Sequence, residues 1–420
     1  MTVKAPGQRV LIGAERALAR CDELARITSL EGGIERVNLS TEHKIANALV
    51  SAWMHEAGLD TWQDAGGNQC GRLEGREPGL PALVLGSHLD TVTDAGAYDG
   101  MLGVMLAIEV VDRIRSSGRE LPFALEVVGF TDEEGTRFGT ALLGSRAFAG
   151  TWDDSWWQLA DRKGVTLRDA ARAFGLDPDG IRSAARRSED LVGYLETHIE
   201  QGPLLLDAGK PLAAVSGIAG ARRLALTVTG HAGHAGGTPY DRRRDALVGA
   251  SEIIVEIERI ARRTGTVATV GRVRAFPGGV NVVPGVARFS LDLRARSDAE
   301  RDAAFEEIEV FALEVCDRRG LAWLAEEFYR ADAVTCSPTL KNAVEQGIRS
   351  TGDDDPTTLW SRAGHDGMAV AAVTEFAMLF LRCGNDGVSH HPDETVTRAD
   401  VVAALDAFTG AVLAVAESRR

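Results

Sequence analysis

Ala82-Leu-Val-Leu-Gly-Ser-His-Leu-Asp-Thr91 is the stretch that decides the fold. Its first six residues are apolar or small, and they predict a short buried strand that ends at His88. Residues 101–114 then repeat apolar side chains at helical spacing, and residues 121–130 predict a second strand. A strand, turn, helix and strand in this order is typical of α/β folds, which bind ligands at the carboxyl ends of their strands.

Polar residues follow both of these strands. His88 and Asp90 stand two apart after the first strand, and a carboxylate bonded to one imidazole nitrogen can orient the ring so that the other binds a metal. A simple His–Asp pair that closes a turn explains the motif equally well. Glu133 and Glu134 follow the second strand. In extended chain they point to opposite faces, so one can ligate a metal while the other faces a substrate. The alternative is a solvated acidic turn.

Three further motifs contain candidate metal ligands, but each of them indicates a metal site only in combination with the others. Asp99 precedes Gly100 at the start of the predicted helix. Considered by itself, Asp99 is sufficiently explained as the N-cap of that helix. His198 lies in a polar motif at the end of a buried segment. His390 and His391 stand side by side in a Pro-bounded turn, and chemistry alone does not choose between them.

The pattern of apolar residues divides the chain into two domains of an α/β fold. Trp152, Trp156 and Trp157 predict a helical pair packed on the first domain. From about residue 213, an inserted α+β unit is predicted, with helices and strands as follows: helices over 241–263 and 298–319, and strands over 224–229, 267–273 and 286–294. After about residue 331 the α/β pattern returns, with a helix near Leu340, a strand over 377–381 and a last helix from Arg398. The predicted domains are therefore 1–212 with 331–420, and 213–330.

The amino-acid composition indicates which classes of partner are excluded and which cellular compartment is expected. The chain has 46 basic and 61 acidic residues, a net charge of -15, which argues against binding to nucleic acid or to an anionic membrane. No run of 18 apolar residues predicts a membrane span, and the N-terminus lacks the apolar region of a secretory signal. Five scattered cysteines without C-x-x-C spacing are typical of reduced thiols. We therefore expect a cytoplasmic protein.

Taken together, the motifs resemble those of the aminoacylase/carboxypeptidase superfamily of binuclear metallohydrolases. The similar segments are His88-Leu-Asp90, Tyr98-Asp-Gly100, Glu133-Glu-Gly135, His198-Ile-Glu-Gln-Gly202 and Ser389-His-His-Pro-Asp-Glu394. Three more are similar to its amidohydrolase branch, which contains N-carbamoyl-L-amino acid hydrolase, allantoate amidohydrolase and β-ureidopropionase: His234-Ala-Gly-Gly-Thr-Pro239, Asn281-Val-Val-Pro-Gly285 and Ser361-Arg-Ala-Gly-His-Asp366. The resemblance spans about residues 30 to 415.

The resemblance implies a site with two divalent metal ions per subunit. Asp99 would bridge them, His88 and His198 would complete one site, and Glu134 and His390 the other, with the match S-H-x-P-x-E selecting His390 over His391. Zinc is the expected metal, with manganese, cobalt and nickel left open. Glu133 would be the general base, with His234 stabilising the oxyanion and Asp90 as a third catalytic residue. The residues expected to bind substrate are Gln201, Asn281, Arg294 and His365.

The activity implied is hydrolysis of the carbamoyl C–N bond of an N-carbamoyl-L-amino acid or a related ureido acid, releasing ammonia and carbon dioxide. Two alternatives remain: an allantoate amidohydrolase specifically, or a dipeptidase or N-acyl amino acid amidase of the same superfamily. The resemblance also implies a mixed-sheet catalytic domain with helices on both faces, and a lid domain that forms a homodimer. Arg362, Gly367 and Tyr240 depart from the branch pattern, so the substrate side chain is not predicted.

Overall fold

The computed structural model describes residues 6–419, and the chain divides into two compact units. The larger unit comprises residues 1–216 and 336–420, and the smaller comprises residues 217–335. The borders predicted from sequence, 212/213 and 330/331, fall a few residues before these. The first five residues, which entered the prediction of no secretory signal, lie outside the described residues.

Helices and strands follow one another along both units. The helices are α1 Pro6–Ala25, α2 Thr41–Glu56, α3 Met101–Ser116, α4 Leu143–Phe148, α5 Leu167–Phe174, α6 Leu204–Asp207, α7 Ala246–Thr264, α8 Asp298–Arg319, α9 Pro338–Arg349, α10 Gly367–Val370 and α11 Arg398–Glu417. Within the described residues, 3₁₀ helices cover Asp154–Gln158, Pro178–Ala184, Ser188–Asp190, Tyr240–Arg242 and Asn385–Gly387.

The strands are β1 Asp60–Gln63, β2 Gln69–Leu73, β3 Ala82–His88, β4 Ala124–Phe130, β5 Leu191–Ile199, β6 Leu212–Ile218, β7 Gly220–Thr229, β8 Gly233–His234, β9 Val267–Thr269, β10 Val273–Phe276, β11 Val282–Val283, β12 Val286–Ala295, β13 Ala322–Ala331, β14 Val334–Thr335, β15 Thr357–Ser361 and β16 Phe376–Leu381.

The sheet of the larger unit is mixed, in the order β1-β2-β4-β3-β5-β16-β6. Its centre is parallel, because β3 pairs in parallel with both β4 and β5, and β16 pairs in parallel with β5. Every residue of these four strands is buried. This is the pattern of central parallel strands covered on both sides, and it explains why their sequences are nearly continuous apolar runs. The predicted α/β fold with a mixed sheet is confirmed.

Helices of the larger unit pack on this sheet and on one another. Helix α3 contacts β3, β4 and β5 and packs against α1 and α11. Helices α9 and α11 pack against each other and against β16. Helix α11 is, among the described residues, the one helix long and apolar enough to cross a membrane. Its charged residues, among them Asp400 and Asp406, interrupt the apolar sequence, so it contains no run of 18 apolar residues. Its apolar side chains, such as Val401, Leu405, Phe408 and Val412, are buried in the core of this unit, which accounts for its composition.

The tryptophan-rich segment forms a separate hydrophobic cluster in the larger unit. Trp152 and Trp157 are buried there with Leu167 and Phe174 of α5. The ring centroids of Trp152 and Trp157 lie 4.7 Å apart. The segment is a 3₁₀ helix followed by α5, so the predicted helical pair packed on the domain is present in shortened form.

The smaller unit is an antiparallel sheet in the order β10-β12-β7-β13, with β9 beside β12. Alternate residues of β7, including Leu224, Leu226 and Val228, share a core with α7 and α8. Two details differ from the sequence prediction. The predicted strand over 267–273 is split into β9 and β10. Helix α7 begins at Ala246 rather than at 241, because the Asp245 carboxylate accepts hydrogen bonds from the backbone N–H groups of two first-turn residues.

Candidate functional site

Two buried histidines end neighbouring parallel strands with the same ring orientation. Nδ1 of His88 lies 3.0 Å from the backbone oxygen of Asp90, and Nδ1 of His198 lies 2.9 Å from that of Ile199. A carbonyl oxygen only accepts, so Nδ1 carries the proton and Nε2 presents a lone pair. Both Nε2 atoms face Oδ1 of Asp99, at 3.6 and 3.1 Å. Lone pairs opposite a carboxylate fit a cation between them.

Asp99 lies at the centre of the site, and its two oxygens face different groups. Oδ1 faces the two strand-end histidines, while Oδ2 lies 3.0 Å from Nε2 of His390 and accepts a hydrogen bond of 2.9 Å from Gln201. Burial opposes ionisation of Asp99, but the surrounding imidazoles of His198, His390 and His88 hold the pKa of its carboxyl well below the ordinary value. A buried carboxylate with one oxygen toward each group has the arrangement of a bridging ligand.

The second group of ligand atoms combines Asp99, Glu134 and His390. Nε2 of His390 lies 3.3 Å from Oε1 of Glu134, and hydrogen bonds with Asp99 and Glu134 raise the pKa of His390 to about 11. The neighbouring His391 turns away and accepts a hydrogen bond from the backbone of Asp393. Both predicted ligand sets, His88–Asp99–His198 and Asp99–Glu134–His390, have ligand atoms within 4.8 Å of one another. The nitrogen and carboxylate donors of both sets fit a divalent transition metal.

Glu133 is buried beside these ligands. Burial raises the pKa of the Glu133 carboxyl well above its ordinary value, and the carboxylates of Glu134, Asp366 and Asp90 raise it further, against the opposing effect of His88. The ligand atoms of His88, Glu133 and Glu134 also lie within 4.8 Å of one another. A carboxylate whose pKa is raised in this way is a stronger base than an ordinary glutamate, which suits it to accept a proton.

Asp90 differs from the prediction in the atoms that it uses. Its carboxylate was expected to orient the imidazole of His88, but Oδ1 is 3.7 Å from Nδ1, and the backbone oxygen makes that contact instead. The carboxylate accepts hydrogen bonds from the backbone N–H groups of Glu133 and Glu134, at 3.0 and 3.2 Å. These two donors point at Asp90 because the turn after β4 wraps around it. Asp90 therefore anchors both strand ends.

Two of the four predicted substrate residues lie in the larger unit. Gln201 has a left-handed backbone, with φ of 56°, and its amide reaches Asp99 and His390. His365 is buried, and its Nε2 lies 2.8 Å from Oγ of Ser361. Its ring packs edge-on against His198, with 4.4 Å between centroids. Burial lowers the pKa of His365 well below 6.5, and the neighbouring His198 lowers it further, so His365 is neutral in the folded protein.

The other predicted substrate residues, and His234, lie in the smaller unit. His234 and Asn281 are neighbours across β8 and β11, since the Ala235 N–H donates to the Asn281 carbonyl. Nδ1 of His234 accepts from the Gly237 N–H at 2.9 Å, so Nε2 carries the proton. Arg294 donates from Nε and from an outer nitrogen to the two oxygens of Asp292, at 2.8 and 3.1 Å.

The three residues that depart from the branch pattern take different places. The Arg362 guanidinium lies over the Trp360 ring at 5.2 Å. Gly367 begins α10. Tyr240 is exposed in the smaller unit, with the Arg243 guanidinium over its ring at 4.2 Å.

Sequence reasoning missed several buried polar residues around the site. Oε1 of Glu394 accepts from the backbone N–H groups of Tyr98 and Asp99, and its other oxygen accepts from Ser389. This contact ties the turn that carries His390 to the turn that carries Asp99. Glu394 belongs to the motif Ser389-His-His-Pro-Asp-Glu394, but its position there does not distinguish it from a surface carboxylate.

Comparison with known proteins gives one consistent result. Residues 84–414 match the family model described as Peptidase family M20/M25/M40. N-carbamoyl-L-amino acid amidohydrolase of Geobacillus stearothermophilus is 41% identical over 93% of this chain and 95% of its own length. Allantoate deiminase of Arabidopsis thaliana is 38% identical over 93% of this chain and 80% of its own.

A solved structure agrees with these relatives. The crystal structure of an amidase of the hydantoinase/carbamoylase family from Burkholderia multivorans has a TM-score of 0.89 and 31% identity, and covers 96% of this chain and 98% of that one.

Proposed function

Because this chain belongs to peptidase family M20/M25/M40, we propose that it is a metal-dependent amidohydrolase that cleaves the carbamoyl C–N bond of an N-carbamoyl-L-amino acid. The observation that carries the proposal is the arrangement of two ligand groups that share Asp99, with buried Glu133 beside them. Relatives named N-carbamoyl-L-amino acid amidohydrolase, 41 and 40% identical over almost the whole chain, support the choice of bond.

Divalent cations held by these ligands would supply an activated water and would polarise the carbonyl. Glu133 accepts a proton from the attacking water and returns it to the leaving nitrogen, a role that suits a buried carboxylate of raised pKa. His234 donates from Nε2 to the developing oxyanion. Arg294 holds the α-carboxylate with parallel hydrogen bonds. One water is consumed, and ammonia, carbon dioxide and the amino acid leave.

The proposed metal is zinc, with manganese, cobalt or nickel as the other candidates. His88 and His198 lie on one side of Asp99, and His390 and Glu134 lie on the other. Imidazole and carboxylate ligands of this kind bind all four of these metals. Metal analysis of the purified protein should find two equivalents per chain. One equivalent or none would contradict the two-metal proposal.

Ammonia release from a substrate panel tests the activity. We expect turnover of N-carbamoyl-L-amino acids with added metal, and little turnover of N-acetyl amino acids and dipeptides. Allantoate belongs in the panel as a second candidate, because several relatives that are 37 or 38% identical are named allantoate deiminases. A protein that hydrolyses only dipeptides or N-acetyl amino acids would contradict the proposal.

We further propose that the smaller unit acts as a lid and joins two copies of the chain in a homodimer. Exposed apolar residues of α7 and α8 support this, because Val248 and Val255 line a groove of about 770 Å³ together with Phe311. A second copy would cover these side chains. Light scattering should give twice the monomer mass, and Val255→Glu should lower it. A monomeric wild type would contradict the proposal.

A cytoplasmic location is also proposed. All five cysteines are buried free thiols, which is typical of a reducing compartment. Fractionation of the source cells should recover the protein with cytosolic markers, and recovery in a secreted fraction would contradict this.

A further inference from the structure

A chain of buried hydrogen bonds supports the turn that carries Glu133 and Glu134. The chain of hydrogen bonds starts at Asn68, which lies between β1 and β2 and is fully buried. The Asn68 amide donates to Asp64 at 2.8 Å and to the Gly144 carbonyl at 3.0 Å, and its oxygen accepts from the Thr131 N–H at 3.1 Å. Every hydrogen-bonding atom of this amide group is thus engaged, and its position is fixed from three directions.

The chain continues from Thr131 to Asp132 through a second buried amide. The Thr131 hydroxyl donates to the Asn38 oxygen at 2.6 Å, and the Asn38 amide donates to Oδ2 of Asp132 at 2.8 Å. Asn38 is 2% exposed. Water therefore cannot replace either bond without opening the core.

The turn needs this support because its backbone is unusual. Asp132 has φ of 58°, in the left-handed region, which costs a non-glycine residue roughly 1 kcal/mol or more. The next two residues have separate tasks in the proposed site, Glu133 as base and Glu134 as ligand. A change of backbone angle at Asp132 would rotate both carboxylates together.

We propose that Asn38, Asn68 and Thr131 are positioning residues for the reaction. They hold the backbone at Asp132, and so set the positions of the Glu133 and Glu134 carboxylates beside the ligand cluster. The chain of contacts is Asp64–Asn68–Thr131–Asn38–Asp132, and none of these side chains touches substrate. The kinetic part of this inference rests on the proposed function.

Thr131→Val tests the network with the least disturbance, since it removes one hydroxyl and keeps the shape. Asn38→Ala removes both side-chain bonds. We expect kcat to fall about 10- to 100-fold in each, the usual effect of losing a partner of a metal ligand, with KM changed less than threefold and metal content unchanged. Thr409→Val is the matched control: Thr409 is also buried, at 6% exposed, but its hydroxyl donates to the Leu405 carbonyl within α11. An equal fall of kcat in the control would contradict the proposal.

A conservative rescue separates positioning from general loss of stability. Asp132→Asn keeps an oxygen that can accept from Asn38, so it should recover most of the kcat lost in Asp132→Ala. Equal kcat in the two variants would contradict the proposal.

Hydrogen exchange supplies a readout independent of activity and metal. The N–H groups of Glu133 and Glu134 donate to the Asp90 carboxylate, and their exchange can be followed after metal has been removed with a chelator. These N–H groups should exchange at least tenfold faster in Thr131→Val and Asn38→Ala, and at the wild-type rate in Thr409→Val. Unchanged exchange in all three would overturn the inference. If the wild type hydrolyses nothing in the panel, the proposed function fails while this measurement still decides the network.

Discussion

At the scale of single residues, the adjacent glutamates divide one task between them. Glu133 and Glu134 differ in surroundings although they are neighbours: one is buried against other carboxylates, and the other lies beside His390. Sequence alternation predicted that they face opposite ways, but an oxygen of each carboxylate lies within 4.8 Å of the other, because the backbone turns at Asp132. It could not predict that both backbone N–H groups bind Asp90, because that contact joins residues more than forty positions apart.

Replacement of Glu133 by Gln should separate proton transfer from metal binding. The amide keeps the size of the side chain but cannot accept a proton, so kcat should fall by roughly 10²- to 10⁴-fold. Metal content, measured by plasma emission, should stay at the wild-type value. Near-normal turnover would remove Glu133 from the role of base, and loss of metal would indicate that it is a ligand.

Arg294→Ala should weaken binding of carboxylate substrates. Asp292 holds the guanidinium through two hydrogen bonds and also pairs with Arg223 at 3.0 Å, so the plane of the guanidinium is fixed before substrate arrives. A lost charge-assisted contact of about 1.5–3 kcal/mol corresponds to a rise of KM of roughly 10- to 100-fold. The control is a carbamoyl amine that lacks the carboxylate, whose KM should not change. An unchanged KM for N-carbamoyl amino acids would disprove this assignment.

At the scale of helices and strands, the elements that build the site were largely predictable. The predicted strand over 82–87 is β3, Ala82–His88, and the predicted helix over 101–114 is α3, Met101–Ser116. These elements are buried, so their apolar patterns are uninterrupted. The supports were not predictable, because Asn38, Asn68 and Glu394 look like loop or surface polar residues until distant segments meet around them. Local pattern carries no information about such pairings.

Helix α11 begins at a cap directly after the turn that carries His390. Oγ1 of Thr397 accepts from the Asp400 N–H at 3.1 Å and donates to the Asp400 carboxylate at 2.7 Å. Thr397→Ala should therefore lower stability by about 1 kcal/mol. Because the cap touches no ligand, kcat should stay near the wild-type value.

Thermal unfolding together with steady-state rates checks this prediction. Thr397→Ser keeps the hydroxyl and should retain most of the stability, which makes it the control. A large fall of kcat in Thr397→Ala at temperatures well below unfolding would mean that the cap also holds the His390 turn.

At the scale of the whole molecule, one buried histidine couples stability to pH away from the metal ligands. His43 in α2 is fully buried, and its Nδ1 accepts from the Leu39 N–H at 3.1 Å. Burial lowers the pKa of His43 to about 3, and the charge of Arg36 adds to this. Asn47 is the other polar group acting on it, and the Phe174 ring packs 5.2 Å away. The folded protein therefore keeps this imidazole neutral.

Stability should consequently fall as the pH falls below about 6.5. Between that value and about 3, the unfolded chain binds a proton at His43 that the folded chain does not, so protons favour unfolding. Between pH 7 and pH 5, this effect should lower the free energy of unfolding by about 2 kcal/mol. His43→Asn keeps an oxygen that can accept from Leu39 but cannot be protonated. Urea unfolding at both pH values should therefore show a smaller loss in the variant, by about that amount. An equal decrease of the free energy of unfolding in both proteins would mean that His43 is protonated in the folded state. Its burial would then not explain the loss of stability at acidic pH.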